Sequence, residues 1–227
     1  MAEEEIVKQI VKEVLNKINR ENKIGEIEDI AVNNKERILY CNYSNRHCHI
    51  SREHLDILYG EGYQLTKLKD LIQPGEFASN ELLTIVGPTG AVLPIRILGP
   101  VRSKTQVEIS RTDSFAIKIK GVPVRQSGNT AGTPGCVLVG PNGAATLKEG
   151  VVVAMRHVHF TPDDARYFDI RDKEMLKVRL ESPARTTIFE KVVARVKPSY
   201  ALEMHIDVDE ANAAGVGQNT PAEIIKD

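Results

Sequence analysis

Two short segments hold the residue types with the most chemistry to offer. Arg46-His47-Cys48-His49-Ile50-Ser51-Arg52-Glu53 and Arg156-His157-Val158-His159-Phe160-Thr161-Pro162-Asp163 share the pattern Arg-His-x-His-apolar-Ser/Thr-x-acid, and they use four of the six histidines. On an extended strand, residues two apart project from the same face, about 6–7 Å apart along the chain, so each His-x-His pair can converge on one cation. Each pair then needs a third ligand from a neighbouring strand. Glu108 lies 61 residues after His47, and His205 lies 48 residues after His157, in similar contexts (Val107-Glu108-Ile109 and Met204-His205-Ile206). The candidate centres are therefore His47/His49/Glu108 and His157/His159/His205. Two nitrogens with a carboxylate, or three nitrogens, are ligand sets of catalytic zinc that leave a position open, and other first-row divalent metals accept the same donors. A single His-x-His would read as two ordinary strand histidines; its repetition at equivalent positions favours metal. Cys48 should face away from its flanking histidines as a buried, inert thiol. His54 suits packing or capping better than ligation.

Anion handling is the second signal. Arg96 and Arg102 bracket Gly99-Pro100, and Arg102 lies six residues before Glu108. Such an arginine can clamp phosphate or carboxylate in bidentate fashion, or simply pair with a structural acid. The polar segment 124–130 (VRQSGNT) offers backbone N–H groups to an anion. No P-loop, dinucleotide-binding glycine fingerprint or G-x-S-x-G elbow is present.

The elements that must position these residues follow from pattern. Residues 2–19 carry Ile6, Val7, Ile10, Val11, Val14, Leu15 and Ile18 at helical spacing, followed by a polar stretch to Arg37. That predicts an amphipathic helix on a linker, serving either as packing or as a docking tag. From Ile38 onward, short β-rich runs alternate with Gly/Pro turns: 82–86, 91–98, 115–119 and 136–139. Two short helices should begin at Ser51 and Thr161, each with an N-cap hydroxyl, the second with Pro162 at its first position. The duplicated motif implies two similar small β-barrels.

The chain has 227 residues with a hydrophobic share of 41% and a net charge of −1. This excludes wholesale disorder and gives no basic field for nucleic acid or an anionic membrane. No apolar run reaches the ~20 residues of a membrane span, and the acidic start (Glu3, Glu4, Glu5) is not a secretory signal. Three cysteines suit a reducing cytoplasm.

The segments 44–51 (SNRHCHIS), 92–102 (VLPIRILGPVR), 108–110 (EIS), 122–128 (VPVRQSG), the second HVH and 203–207 (EMHID) resemble the phosphate propanoyltransferases, the phosphotransacylases of propanediol-utilisation type. The likeness runs over about 38–222, in family order. It implies reversible transfer of a short acyl group (propanoyl or acetyl) between CoA and phosphate, with acyl-CoA, CoA, phosphate and acyl phosphate as the molecules bound. It implies two zinc ions per chain: one on His47, His49 and Glu108 with the CoA sulfur, the other on His157, His159 and His205 with water or phosphate. By the same resemblance Arg102 is the catalytic, phosphate-holding residue, and Tyr43, Ser44, Asn45, Arg96 and Asn212 contact CoA. Ser127 falls in a family site motif and counts as a substrate-binding candidate.

Cys48 stands where relatives usually have Val. Thr89 stands where many have Lys, which weakens its expected contact with a CoA phosphate. The organisation expected is a helix over 1–20, a linker over 21–36, one β-barrel from 37–46 with 155–227, and another from 47–154, in a homodimer. Residues 2–19 look like the encapsulation peptides of family members housed in bacterial microcompartments, with shell or cargo proteins as partners. Two other readings fit the same metal ligands: a zinc-dependent thioester or phosphoester hydrolase, and a non-enzymatic, microcompartment-associated metal protein.

Overall fold

The computed structural model describes residues 37–226. The helix expected over 2–19 and the linker over 21–36 lie outside them. The described chain is mainly β, as expected, and its strands fall into two sheets that contain no common strand. One closes into a six-stranded barrel: β1 (Leu39–Ser44), β14 (Glu203–Asp207), β11 (His157–Phe160), β13 (Thr187–Val196), β12 (Met175–Leu180) and β15 (Thr220–Ile225), in that order. The other curls into a half-barrel without closing. Its order is β7 (Val124–Arg125), β10 (Val151–Ala154), β6 (Gln106–Glu108), β2 (His47–Ser51), β5 (Val92–Arg102), β4 (Phe77–Val86), β8 (Cys136–Val139) and β9 (Ala144–Leu147), with β3 (Lys67–Asp70) paired to β4.

The sequence repeat is a repeat of topology. β2 pairs parallel with β5 and antiparallel with β6, and β6 pairs parallel with β10. Likewise β11 pairs parallel with β13 and antiparallel with β14, and β14 pairs parallel with β1. In both sheets the strand beside the third-ligand strand is the one that precedes the other copy's motif. β1 leads into the first His-x-His yet lies in the barrel of the second, and β10 does the reverse.

Alternation explains the two cores. In β5, Ile95 and Ile97 are buried while their neighbours Pro94 and Arg96 are not, and Ile50, Ile85 and Leu138 fill the same interior. Phe160, Val178, Leu180, Met204 and Ile206 fill the barrel. Four short helices cap the ligand strands among the described residues: α1 (Arg52–Tyr59), α2 (Arg111–Ala116), α3 (Pro162–Phe168) and α4 (Val208–Ala214). Ser51 and Thr161 are the N-caps of α1 and α3, and Pro162 takes the first helical position, as the pattern predicts. The apolar run 115–119 is not a strand. It begins in α2 and ends in a turn, because Ser110 and Asp113 form a reciprocal capping box that nucleates helix instead. α4 opens on the same device, built from Asp207 and Glu210.

Candidate active site

Each ligand strand presents its side chains to a single cleft and ends, two residues later, in a helix cap. His47 and His49 project from β2, and His47 sits directly opposite Glu108 of β6. His47 Nε2 lies 3.4 Å from Glu108 Oε2, and His49 Nε2 lies 3.6 Å from Glu108 Oε1. In the barrel, His157 sits directly opposite His205 of β14. Within each of the two triplets, one donor atom per residue lies within 4.8 Å of the others. Cys48 points the opposite way, fully buried in the core. His54 is turned aside, its Nδ1 2.7 Å from Thr105 Oγ1.

The first histidine of each pair is locked in the same way. Nδ1 of His47 lies 2.8 Å from the Asn45 carbonyl, and Nδ1 of His157 lies 2.8 Å from that of Met155. A carbonyl only accepts, so Nδ1 carries a proton in both, and in the neutral ring it is Nε2 that offers the lone pair. Other buried ring nitrogens have no hydrogen-bond partner: His49 Nδ1, His159 Nδ1 and His205 Nε2. Buried polar atoms are rarely left so, and clusters of unsatisfied imidazole nitrogen beside a buried carboxylate are the donor set a divalent cation completes. On these residues a metal fits both triplets.

The electrostatics agree. Burial opposes charge on His47, but Glu108 outweighs it and raises the His47 pKa, while burial lowers that of His49. Burial would also raise the Glu108 carboxyl; His47 and His49 overcome it and hold the group well below the usual carboxylate range. In the other triplet, burial and then the neighbouring histidines depress His157 to about 3 and His159 to about 2. Arg195 pushes both in the same direction. His157 and His159 therefore hold free lone pairs at neutral pH.

Both triplets line one cavity of about 270 Å³, with Arg102, Ser127, Ser44 and Asn45 on its walls. That volume is near the small end of ligand sites. Arg102 donates from one nitrogen to Glu76 Oε1 at 2.7 Å and keeps its other donors. Ser127 accepts from Gln106 Nε2 at 2.9 Å, and the Gln106 side chain also accepts from Gly128 N at 2.7 Å.

The other residues assigned to CoA by resemblance are not cavity-lining. Arg96 lies beside His47 in the ladder but donates to the Ser79 carbonyl at 2.5 Å. The Tyr43 backbone is held by Gln218, and its ring packs on the barrel core. Thr89 and Asn212 are exposed, on the β4–β5 turn and on α4.

Sequence reasoning missed several residues at the cleft. Arg195, on β13 beside His159, lies 5.6 Å from the Tyr200 ring, and Tyr200 stacks on His159 with centroids 4.1 Å apart. Glu203 Oε2 lies 2.9 Å from His205 Nε2, off the N–H direction. Asn42 and Gln73 each donate to Glu203, at 2.9 and 2.8 Å, and Gln73 also bonds Ala201 from both ends of its amide. Gln73 belongs to the half-barrel portion and thereby ties it to the barrel. Only the EMH spacing hinted at Glu203; nothing in the sequence singled out Gln73.

Residues 40–217 match the family model described as phosphate propanoyltransferase. A phosphate propanoyltransferase of Thermotoga maritima is 50% identical over 193 residues, covering 85% of this chain and 90% of the relative. One from Enterococcus faecalis is 42% identical over 213 residues, covering 93% of this chain and 100% of the relative. One from Clostridioides difficile is 45% identical over 208 residues, covering 91% and 99%. With similarity along most of the chain to each of these relatives, the chain belongs to the phosphate propanoyltransferase family, a family of acyltransferases.

Proposed function

We propose that this chain transfers a short acyl group, propanoyl or acetyl, between CoA and phosphate with the help of two divalent cations, zinc by preference. His47, His49 and Glu108 would hold one, and His157, His159 and His205 the other. Such cations supply stabilisation of a thiolate leaving group and neutralisation of phosphate charge. The chain's own residues do the rest. Arg102, exchanging Glu76 for substrate, holds phosphate facing the thioester carbonyl. Arg195 adds a second positive charge from the barrel side. A phosphate oxygen attacks the carbonyl carbon, the C–S bond breaks, and CoA leaves with the electron pair as acyl phosphate forms. Holding both reactants in one small cavity removes much of the entropy of their encounter.

No covalent acyl-enzyme is needed. Cys41, Cys48 and Cys136 are buried free thiols, and burial raises the pKa of each. The observation that carries this reading is the convergence of two three-donor groups and Arg102 on one cleft. By resemblance we further assign residues 2–19 to encapsulation in a microcompartment.

Release of free CoA from propanoyl-CoA and acetyl-CoA, followed with and without phosphate, tests the reaction. The expected release requires phosphate; release without phosphate identifies a hydrolase instead. Arg102→Ala should lower kcat/KM for phosphate by about a hundredfold or more with metal content unchanged. An unaltered phosphate dependence would remove Arg102 from its role.

A further inference from the structure

The arginine that opens each repeated motif takes no part in the chemistry above, yet it is used twice in the same way. Arg46 donates from Nε and an NH2 group to Asp113 Oδ1, at 2.9 and 2.6 Å. Arg156 donates to Glu210 Oε1 at 3.0 Å. Asp113 and Glu210 occupy the same place: each lies five residues after the third metal-ligand candidate, at the third position of the helix that follows it. The other oxygen of each carboxylate closes the helix cap. Asp113 Oδ2 accepts from Ser110 N at 3.2 Å, and Glu210 Oε2 accepts from Asp207 N at 3.1 Å.

The antiparallel register explains the reach. His47 faces Glu108 and His157 faces His205, so the residue before each histidine lies alongside the chain leaving the third ligand. That chain needs holding. β6 has three residues and Glu108 is its last; α2 and α4 have six and seven. Such short elements have little stability of their own.

We infer that Arg46 and Arg156 are positioning residues, one per metal centre: each clasps the strand of its His-x-His pair to the helix following the third ligand, and so fixes where Glu108 or His205 sits. This rests on the metal reading above and extends it. Shared construction in two sheets, from residues 67 and 54 apart, marks the contact as part of the centre and not a stray surface pair. Both arginines are about one-third exposed or less.

The test is metal affinity at one centre at a time, by zinc titration against a chelator. His159→Ala leaves only the first centre, and His49→Ala leaves only the second. In the His159→Ala background, Arg46→Gln should weaken zinc binding about 10–100-fold, the usual size for loss of an outer support. In the His49→Ala background it should change nothing. Arg156→Gln should show the opposite pattern. Arg46→Lys should recover part of the loss, since one donor can still meet the outer oxygen.

Equal weakening of both centres, together with a lower melting temperature, would reduce the arginines to general stabilisers and overturn the inference. So would unchanged affinity in both backgrounds. If the unsubstituted chain binds no zinc, the metal reading falls first and the clasp falls with it. Two ions in the unsubstituted chain and one in each histidine background, with the arginine substitutions leaving that one ion's affinity unchanged, would sink the clasp alone.

Discussion

Protonation separates the two triplets. In the first, a buried carboxylate faces two imidazoles, and the His47 proton is favoured once Glu108 overcomes burial. In the second, three imidazoles face one another, and burial with mutual repulsion drives His157 and His159 far below the ordinary histidine value. The consequence for stability has a definite sign. As pH falls below about 6.5, the unfolded chain takes protons at positions 157 and 159 that the folded chain refuses until about 3 and 2. Acid therefore favours unfolding. His47 works the other way, its contribution present below the ordinary histidine value and lost as pH rises through its raised one. With His49, His157 and His159 lowered against His47 raised, the chelator-treated chain should lose stability between pH 7 and 4, measured by guanidinium unfolding. His159→Gln should flatten that loss; an identical slope would contradict these assignments. At this scale the His-x-His pairs were legible because strand geometry has a period of two, and the repeat pointed to Glu108 and His205. Glu203, Gln73 and Arg195 were not, because their place depends on contacts such as Gln73 to Glu203 across 130 residues.

The elements carry these groups through caps and close turns. β2, β6, β11 and β14 each run into a helix cap two residues after a ligand. Two of those helices were readable from Ser51 and from Thr161-Pro162. α2 was hidden because the run 115–119, which only begins in it, mimics a strand, and the local Ser110–Asp113 capping box that decides the matter went unread. Packing against α2 leaves no room at the β4–β5 turn: a Cβ on Gly87 would lie 1.8 Å from the Ile117 carbonyl oxygen. Gly87→Ala must displace the exit of α2, and a shift of this kind costs about 1–3 kcal/mol. Gly217 has nothing within 4 Å of such an atom, so Gly217→Ala should be close to neutral. Thermal melts of the two variants check the pair; equal melting temperatures would mean that the turn yields freely.

At the scale of the molecule, the two sheets are interlocked at the cleft. β1 and β10 each serve the other copy's motif, Gln73 bridges to Ala201 and Glu203, and Asp209 of α4 accepts the backbone N–H of Thr112 in α2 at 2.8 Å. The mainly β character and the two-part plan were legible from the turn spacing and the repeat. That one part closes while the other stays open was not, since closure depends on β15 completing the barrel between β1 and β12. Interlocking lets residues 110 positions apart, such as His47 and His157, wall a single cavity. Under the proposed function this cavity holds a separate cation on each triplet. Metal content per chain after equilibration with zinc tests it directly, on the unsubstituted chain, on Glu108→Ala and on His205→Ala. The expected ratios are two, one and one. A ratio of zero in the unsubstituted chain, or of two in both variants, would contradict it.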